Sequence, residues 1–223
     1  MKRFFTPKDL LSIERSCFSA VAAPIDEIVR LGNLYLAKLL SFNRVVPLIS
    51  RGGNQEALAV QLFLSSLAAC EFIPQGPGVT ICDLGSGGGF PAIPLKIARP
   101  DTGWFLVEAR QRKCAFLESI VRELGLFNVK VMCRRLENFT PPEHTTVSVA
   151  TARAGPSVES VLAWAQQIPS LTDIVLFLSM QDAAAMTATC KNKSFYVAVN
   201  KKIDILSEIG DLSLVLIKKK SAT

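Results

Sequence analysis

Val79-Thr80-Ile81-Cys82-Asp83-Leu84-Gly85-Ser86-Gly87-Gly88-Gly89-Phe90-Pro91 is the stretch whose reading decides the fold. A short apolar, β-branched run ends in an acid. Glycines follow, and then a helix-length segment begins. Strand, glycine loop and helix in that order open α/β folds that bind a ligand at the loop. Residues 104–108, 129–133, 147–151 and 174–178 repeat the strand signature, with helix-length segments at 111–124 and 158–167. On 111–124, Phe116, Leu117, Ile120, Val121 and Leu124 share one helical face. This alternation predicts a mostly parallel sheet covered on both faces. Residues 195–199 and 212–217 read as strands with no helix-length segment between them, so they predict an antiparallel pair closing the sheet.

Upstream, the chain reads as helical to about residue 75. Residues 26–40 place Ile28, Leu31, Leu34, Tyr35 and Leu39 near a 3.6-residue period. Arg51-Gly52-Gly53-Asn54 reads as a loop, followed by an apolar helix from about Gln55. The stretch 57–73 is interrupted by Gln61, Ser65, Ser66 and Glu71, which predicts a buried helix and not a membrane span. Pro74-Gln75-Gly76-Pro77-Gly78 then breaks the chain. The predicted organisation is a helical N-terminal extension over 1–75 and an α/β domain over 76–223.

Composition narrows the classes. Of 223 residues, 49% are hydrophobic and 20% charged, which excludes global disorder. The mean hydropathy of +0.32 leaves room for an apolar interaction surface. Lys and Arg number 25 against 19 Asp and Glu, a net +6 that permits an anionic partner without requiring one. The six cysteines form no Cys-x-x-Cys pair and are expected as buried, reduced thiols of a cytoplasmic protein. His144 is the only histidine, so a zinc site or a histidine-based triad lacks material, and no metal is expected. The start, Met1-Lys2-Arg3-Phe4-Phe5, has too short an apolar run for a secretory signal.

Three ligand classes compete for the loop. A triphosphate loop needs Gly-x-x-x-x-Gly-Lys-Ser/Thr, and no lysine follows these glycines. A dinucleotide fingerprint begun at Gly85 fails at Phe90, and begun at Gly87 it passes with Ala92 but starts late. S-Adenosylmethionine fits best. Asp83 can receive its ammonium directly or through water, whereas it would repel a pyrophosphate. Glu108, about 20 residues beyond the loop, can accept both hydroxyls of a ribose. Its plain alternative is a surface acid before a basic helix.

The run from Asp83 through Pro91, Ala92, Ile93, Pro94 and Leu95 to Arg99-Pro100 resembles the first signature of the bacterial 16S ribosomal RNA guanine-N7 methyltransferases, also called glucose-inhibited division protein B. Val107 to Leu117, Arg135-Leu136-Glu137, Thr151-Ala152-Arg153-Ala154 and the terminal Val215 to Lys219 are similar too. The resemblance implies a class I S-adenosylmethionine-dependent methyltransferase fold: a Rossmann-like, seven-stranded, mostly parallel sheet with a helical N-terminal extension. It implies cofactor binding by Asp83, Gly85, Gly87, Gly89, Phe90, Glu108, Leu136, Glu137 and Arg153. Arg153 also stands beside the target base as the catalytic candidate. Arg110, Arg112 and Lys113 would bind RNA. The implied partner is 16S ribosomal RNA or the small ribosomal subunit, met by a monomer with no membrane.

The chain departs from the family pattern at three places. Pro47-Leu48-Ile49 stands where an Asn-Leu-Thr stretch is usual. Gln61 to Ser66 stands where a His and an Asp-Ser are usual. Ser179-Met180 replaces Lys-Gly. These leave open a methyltransferase with another substrate, or an inactive cofactor-binding paralogue. The chemistry itself needs no general base, because guanine N7 has an in-plane lone pair and no proton. Consistently, no Asp/Asn-Pro-Pro-aromatic stretch or Pro-Cys nucleophile follows the fourth strand. Arg134, Arg135 and the basic end Lys218 to Lys220 are further candidates for RNA contact, with Phe42 and Phe90 as candidate aromatic platforms.

Overall fold

The computed structural model describes residues 2–11, 20–76, 78–190, 194–203 and 211–220. Seven strands form one sheet in the order β3-β2-β1-β4-β5-β7-β6. They are β1 (Thr80–Leu84), β2 (Gly103–Glu108), β3 (Val129–Cys133), β4 (Val149–Arg153), β5 (Asp173–Ser179), β6 (Phe195–Ile203) and β7 (Leu212–Lys219). The first five pair in parallel, and β7 runs antiparallel to both β5 and β6. The expected seven-stranded, mostly parallel sheet with a closing antiparallel pair is thus what the chain forms.

The period of two along each strand sends side chains into two separate cores. Ile81, Trp104, Leu106, Val149, Val175 and Phe177 point to one face. It is covered by α4 (Ala92–Ala98) and α5 (Gln111–Glu123), with α1 (Pro7–Leu11), α2 (Ile25–Asn43) and α3 (Gln55–Leu67) joining the same apolar cluster. Cys82, Phe105, Val107, Ala150 and Leu176 point to the other face, under α6 (Val158–Gln166) and α7 (Met180–Cys190).

Specific bonds tie the N-terminal helices to the sheet layer. Buried Arg99, after α4, donates to the carbonyls of Ile73 (3.2 Å) and Pro74 (2.9 Å) and pairs with Asp101. Tyr35 of α2 donates to the carbonyl of Gly88 at 2.6 Å. Asn54 caps α3 by accepting from the Ala57 amide at 3.1 Å, a contact worth about 1 kcal/mol.

Four expectations need correction. First, β4 begins at Val149, not 147, because the Val147 backbone exchanges hydrogen bonds with the Ser170 hydroxyl instead of joining the ladder. Arg153 is therefore the last residue of the strand, paired with Phe177 of β5. Second, α7 is a helix the periodicity does not disclose; its sequence MQDAAAMTATC has no clear apolar stripe. Third, Cys133 is exposed at the end of edge strand β3, whereas Cys70, Cys82, Cys114 and Cys190 are buried thiols; Cys17 lies outside the described residues. Fourth, Lys218 to Lys220 cannot join the other basic clusters. The antiparallel direction of β7 puts Lys218 opposite Asp173 at the start of β5, at the far end of the sheet from the glycine loop. There Lys218 pairs with Asp173 and Lys219 donates to the Ile168 carbonyl.

Candidate active site

A cavity of about 770 Å³ opens at the carboxyl ends of the parallel strands, a size suited to a small-molecule ligand. One wall is the loop after β1. The amides of Gly85 and Ser86 both donate to the Val107 carbonyl (2.8 and 3.0 Å), which folds the loop back over β2. Gly85 has φ +77°, and a Cβ there would lie 2.7 Å from Pro156 Cδ. Gly89 has φ +97°, and its Cβ would meet Ile93 at 2.6 Å and the Tyr35 hydroxyl at 3.1 Å. Only glycine satisfies both demands.

Beneath the loop, Asp83 is 1% exposed. Its Oδ1 accepts from the Thr151 hydroxyl at 2.7 Å, and its Oδ2 is buried with no hydrogen-bond partner. Burial pushes this carboxyl up to about 7, while hydrogen bonds from Thr151 and Ser86 pull it down and the Glu108 charge adds a small push upward. Thr151 escapes sequence reasoning: it meets Asp83 across 68 residues, through the β1–β4 register.

Glu108 ends β2 and is 8% exposed. It accepts from the Gly87 amide (Oε2, 2.9 Å) and from the Arg110 amide (Oε1, 2.8 Å). Each oxygen keeps a lone pair for a further donor. The Glu108 carboxylate thereby binds the loop to the start of α5. Leu136, buried, and Glu137, exposed, reach the cavity from the 3₁₀ turn Leu136–Asn138.

Arg153 lines the cavity from the end of β4. Its Nη1 donates to Ser65 Oγ (2.9 Å), Ser66 Oγ (3.4 Å) and the Leu62 carbonyl (3.3 Å), all on α3. Its guanidinium carbon stands 5.0 Å over the Phe177 ring. No carboxylate pairs with it among the described residues, and Nη2 is buried without a partner. Desolvation pulls Arg153 down to about 10, so it remains charged at neutral pH.

The cavity brings together Gly85, Gly87, Phe90, Glu108, Leu136, Glu137 and Arg153 of the expected cofactor residues, and Arg110 and Lys113 of the expected RNA residues. Three expected residues do not line it. Asp83 lies under the loop. Gly89 packs into the helical core. Arg112 is turned away by its helical position between two lining residues. Phe42 is not in the lining either; it packs on Phe116 at 5.2 Å, leaving Phe90 as the aromatic of the cavity. The sequence reading missed the apolar lining by Leu58 and Leu62 of α3 and by Pro156, which packs against Gly85. Of the three departures, Pro47, Leu48 and Ile49 line the cavity. Gln61 is buried with Oε1 unpartnered. Ser179 only caps α7, bonding Asp182 through its hydroxyl and through the Asp182 amide.

An unpaired buried carboxylate oxygen, a backbone cradle closed to a Cβ at Gly85 and Gly89 and a second carboxylate at its edge fit a ligand with a cation at one end and adjacent hydroxyls at the other. S-Adenosylmethionine has both.

Comparison with known proteins agrees with this geometry. The family model for GidB, rRNA small subunit methyltransferase G, matches residues 29–209. The ribosomal RNA small subunit methyltransferase G of Dichelobacter nodosus (strain VCS1703A) is 34% identical over 206 residues, covering 91% of this chain and 92% of that protein. That of Desulfitobacterium hafniense (strain Y51) is 28% identical over 199 residues, covering 86% and 81%. Among solved structures, magnesium protoporphyrin IX methyltransferase from Synechocystis PCC 6803, with bound S-adenosylmethionine, superposes with a TM-score of 0.61 at 11% identity, covering 83% of this chain and 97% of that one. A ribosomal protein L11 methylase from Lactobacillus delbrueckii subsp. bulgaricus gives 0.56 at 15% identity, covering 76% and 81%. Identities that low speak to the Rossmann-like methyltransferase fold alone, but the family match spans most of the sequence, and on it the chain belongs to the GidB family, rRNA small subunit methyltransferase G.

Proposed function

We propose that this chain transfers a methyl group from S-adenosylmethionine to guanine N7 of 16S ribosomal RNA, acting as a cytoplasmic monomer. The observation that carries the reading is one cavity with two kinds of lining: a glycine cradle with carboxylates, and a guanidinium without a carboxylate partner set among apolar side chains.

The bound cofactor supplies a methyl group already activated by its sulfonium. The chain's own contribution is binding and alignment. Asp83 attracts the ammonium across the loop, directly or through one water. Glu108 accepts from the ribose hydroxyls. Leu136 covers one side of the adenine and Glu137 its edge. Pro47, Leu58, Leu62 and Pro156 form an apolar slot for the guanine and keep water from it. Arg153, which lines the cavity, would give a guanidinium N–H to the guanine O6 next to N7. No side chain needs to take a proton, and the slot holds no histidine, consistent with a nucleophile that carries none.

The test is transfer of labelled methyl to small ribosomal subunits and to naked 16S RNA from a host lacking the modification. Label mapped to a guanine N7 is the expected outcome. Cofactor binding without transfer to either substrate would overturn it in favour of a different substrate.

A further inference from the structure

The described cations differ in whether a carboxylate neutralises them; Arg3, Lys8, Arg122 and Lys130, scattered away from the cavity, have none, so it is the clustering of such cations that marks the cavity mouth. Away from the cavity, Lys2, Arg30, Lys38, Arg99, Lys201, Lys202 and Lys218 each hold a carboxylate within 3.4 Å. Around the mouth, Arg110, Lys113, Arg134 and Arg135 line the cavity, and Arg44 and Arg51 flank the lining residues 47–50. None of these six makes an ion pair with another described residue. Unneutralised cations kept side by side repel one another, and they suit a polyanion that neutralises them together.

Arg44 and Arg51 belong to the connector 44–54 between α2 and α3. This connector is held in shape by buried Asn43. The Asn43 Oδ1 accepts from the amides of Leu48 (2.8 Å) and Ile49 (3.0 Å), and its Nδ2 donates to Gln55 Oε1 (2.9 Å). Arg51 Nε donates to the Asn43 carbonyl at 2.9 Å, which aims the guanidinium and leaves its terminal nitrogens free. Two large apolar side chains stand exposed beside these cations, Phe42 at 40% and Val45 at 74%. The Phe42 ring rests on Phe116 of α5, the helix whose first turn carries Lys113, so it bridges the two basic walls. An exposed aromatic held on Phe116, close in sequence to Arg44 and to the lining residues 47–50, matches the chemistry of single-stranded RNA, with its phosphates to neutralise and unstacked bases to cover.

We infer that the α2–α3 connector is a preformed docking wall for the single-stranded RNA flanking the target base. Arg44 and Arg51 contact phosphates and Phe42 stacks on a neighbouring base. The inference rests on the RNA methyltransferase reading.

Binding of the full chain to naked 16S RNA and to an unstructured oligoribonucleotide, titrated over salt, tests it. Arg44→Ala and Arg51→Ala should each lower affinity and reduce the slope of log K against log salt by about 1. Lys218→Ala, at an ion-paired site, should leave the slope unchanged. Phe42→Ala should weaken binding about fivefold or more at unchanged slope, with Phe42→Tyr restoring it. Phe42→Leu separates loss of stacking from loss of the Phe116 contact. Cofactor affinity should not move in any of them. If wild type binds RNA with a steep salt slope and the arginine variants match it, the docking wall is refuted while the enzymatic reading stands. If wild type shows no salt-dependent RNA binding, that reading falls, and the inference with it. An effect seen only on assembled subunits would assign the surface to a ribosomal protein and overturn the inference.

Discussion

The two walls of the cavity are made of different material. The loop wall is backbone, fixed by left-handed glycines and by amides that donate to Val107 and Glu108. The second wall is side chain, with Arg153 suspended from Ser65, Ser66 and Leu62 of α3. The backbone wall tolerates little substitution at Gly85 and Gly89, where a Cβ would lie 2.7 Å from Pro156 and 2.6 Å from Ile93. A side-chain wall can exchange partners so long as the guanidinium stays put. Of the departures from the family pattern, Pro47, Leu48 and Ile49 reach this cavity, with Leu48 against Gly88. The altered α3 stretch supplies two hydroxyls to Arg153.

The largest effect is expected at the backbone wall. Gly85→Val places a β-branched side chain at φ +77° against Pro156, so cofactor binding by calorimetry should be lost beyond detection. Measurable binding within tenfold of wild type would show that the loop is not the cradle. At the side-chain wall, Arg153→Ala should lower methyl transfer about 10–100-fold at saturating cofactor, with cofactor affinity nearly unchanged. The Ser65→Ala, Ser66→Ala pair should cost less, since Leu62 and Phe177 still hold the guanidinium. Equal losses of cofactor binding and transfer in Arg153→Ala would place that arginine on the cofactor alone.

The effect that separates the two kinds of lining by pH concerns Asp83. Its carboxyl is raised to about 7 by burial. Between about pH 4 and 7 the folded chain keeps a proton that the unfolded chain has released, so without cofactor Asp83 weakens the fold as pH rises through that window. Pairing with an ammonium needs the ionised form, so cofactor affinity should fall below pH 7, by up to about tenfold per unit. Asp83→Asn should flatten both dependences, read by thermal unfolding and calorimetry. A pH-independent affinity in wild type would remove Asp83 from the binding event.

What the sequence disclosed follows the same division. The glycine loop is legible because its residue types are dictated locally by φ, and Glu108 because it sits at a fixed distance after the loop. The Arg153 cradle and the Thr151 bond are not legible, because they join residues 88 and 68 positions apart through packing that no local pattern records. Of the connector 44–54, only Arg51-Gly52-Gly53-Asn54 is legible as a loop, because no local pattern records which cations hold no carboxylate. Helix α7 did leave a signal: Ser179 three residues before Asp182 is a capping box, and the Ala-rich sequence that follows hides the period but not the start.

The hydrogen bond from Tyr35 to Gly88 has a consequence for biosynthesis. It spans 53 residues, and its donor leaves the ribosome first. At roughly 5–20 residues per second, Tyr35 of α2 waits about 3–10 s for the loop that covers it, and α3 about half as long. During that interval Tyr35, Leu36, Leu39 and Phe63, all fully covered in the finished molecule, are open to solvent on a nascent chain. A slow codon placed between α3 and β1 would lengthen the exposure of this half, and a chaperone that recognises apolar helices would meet the protein there.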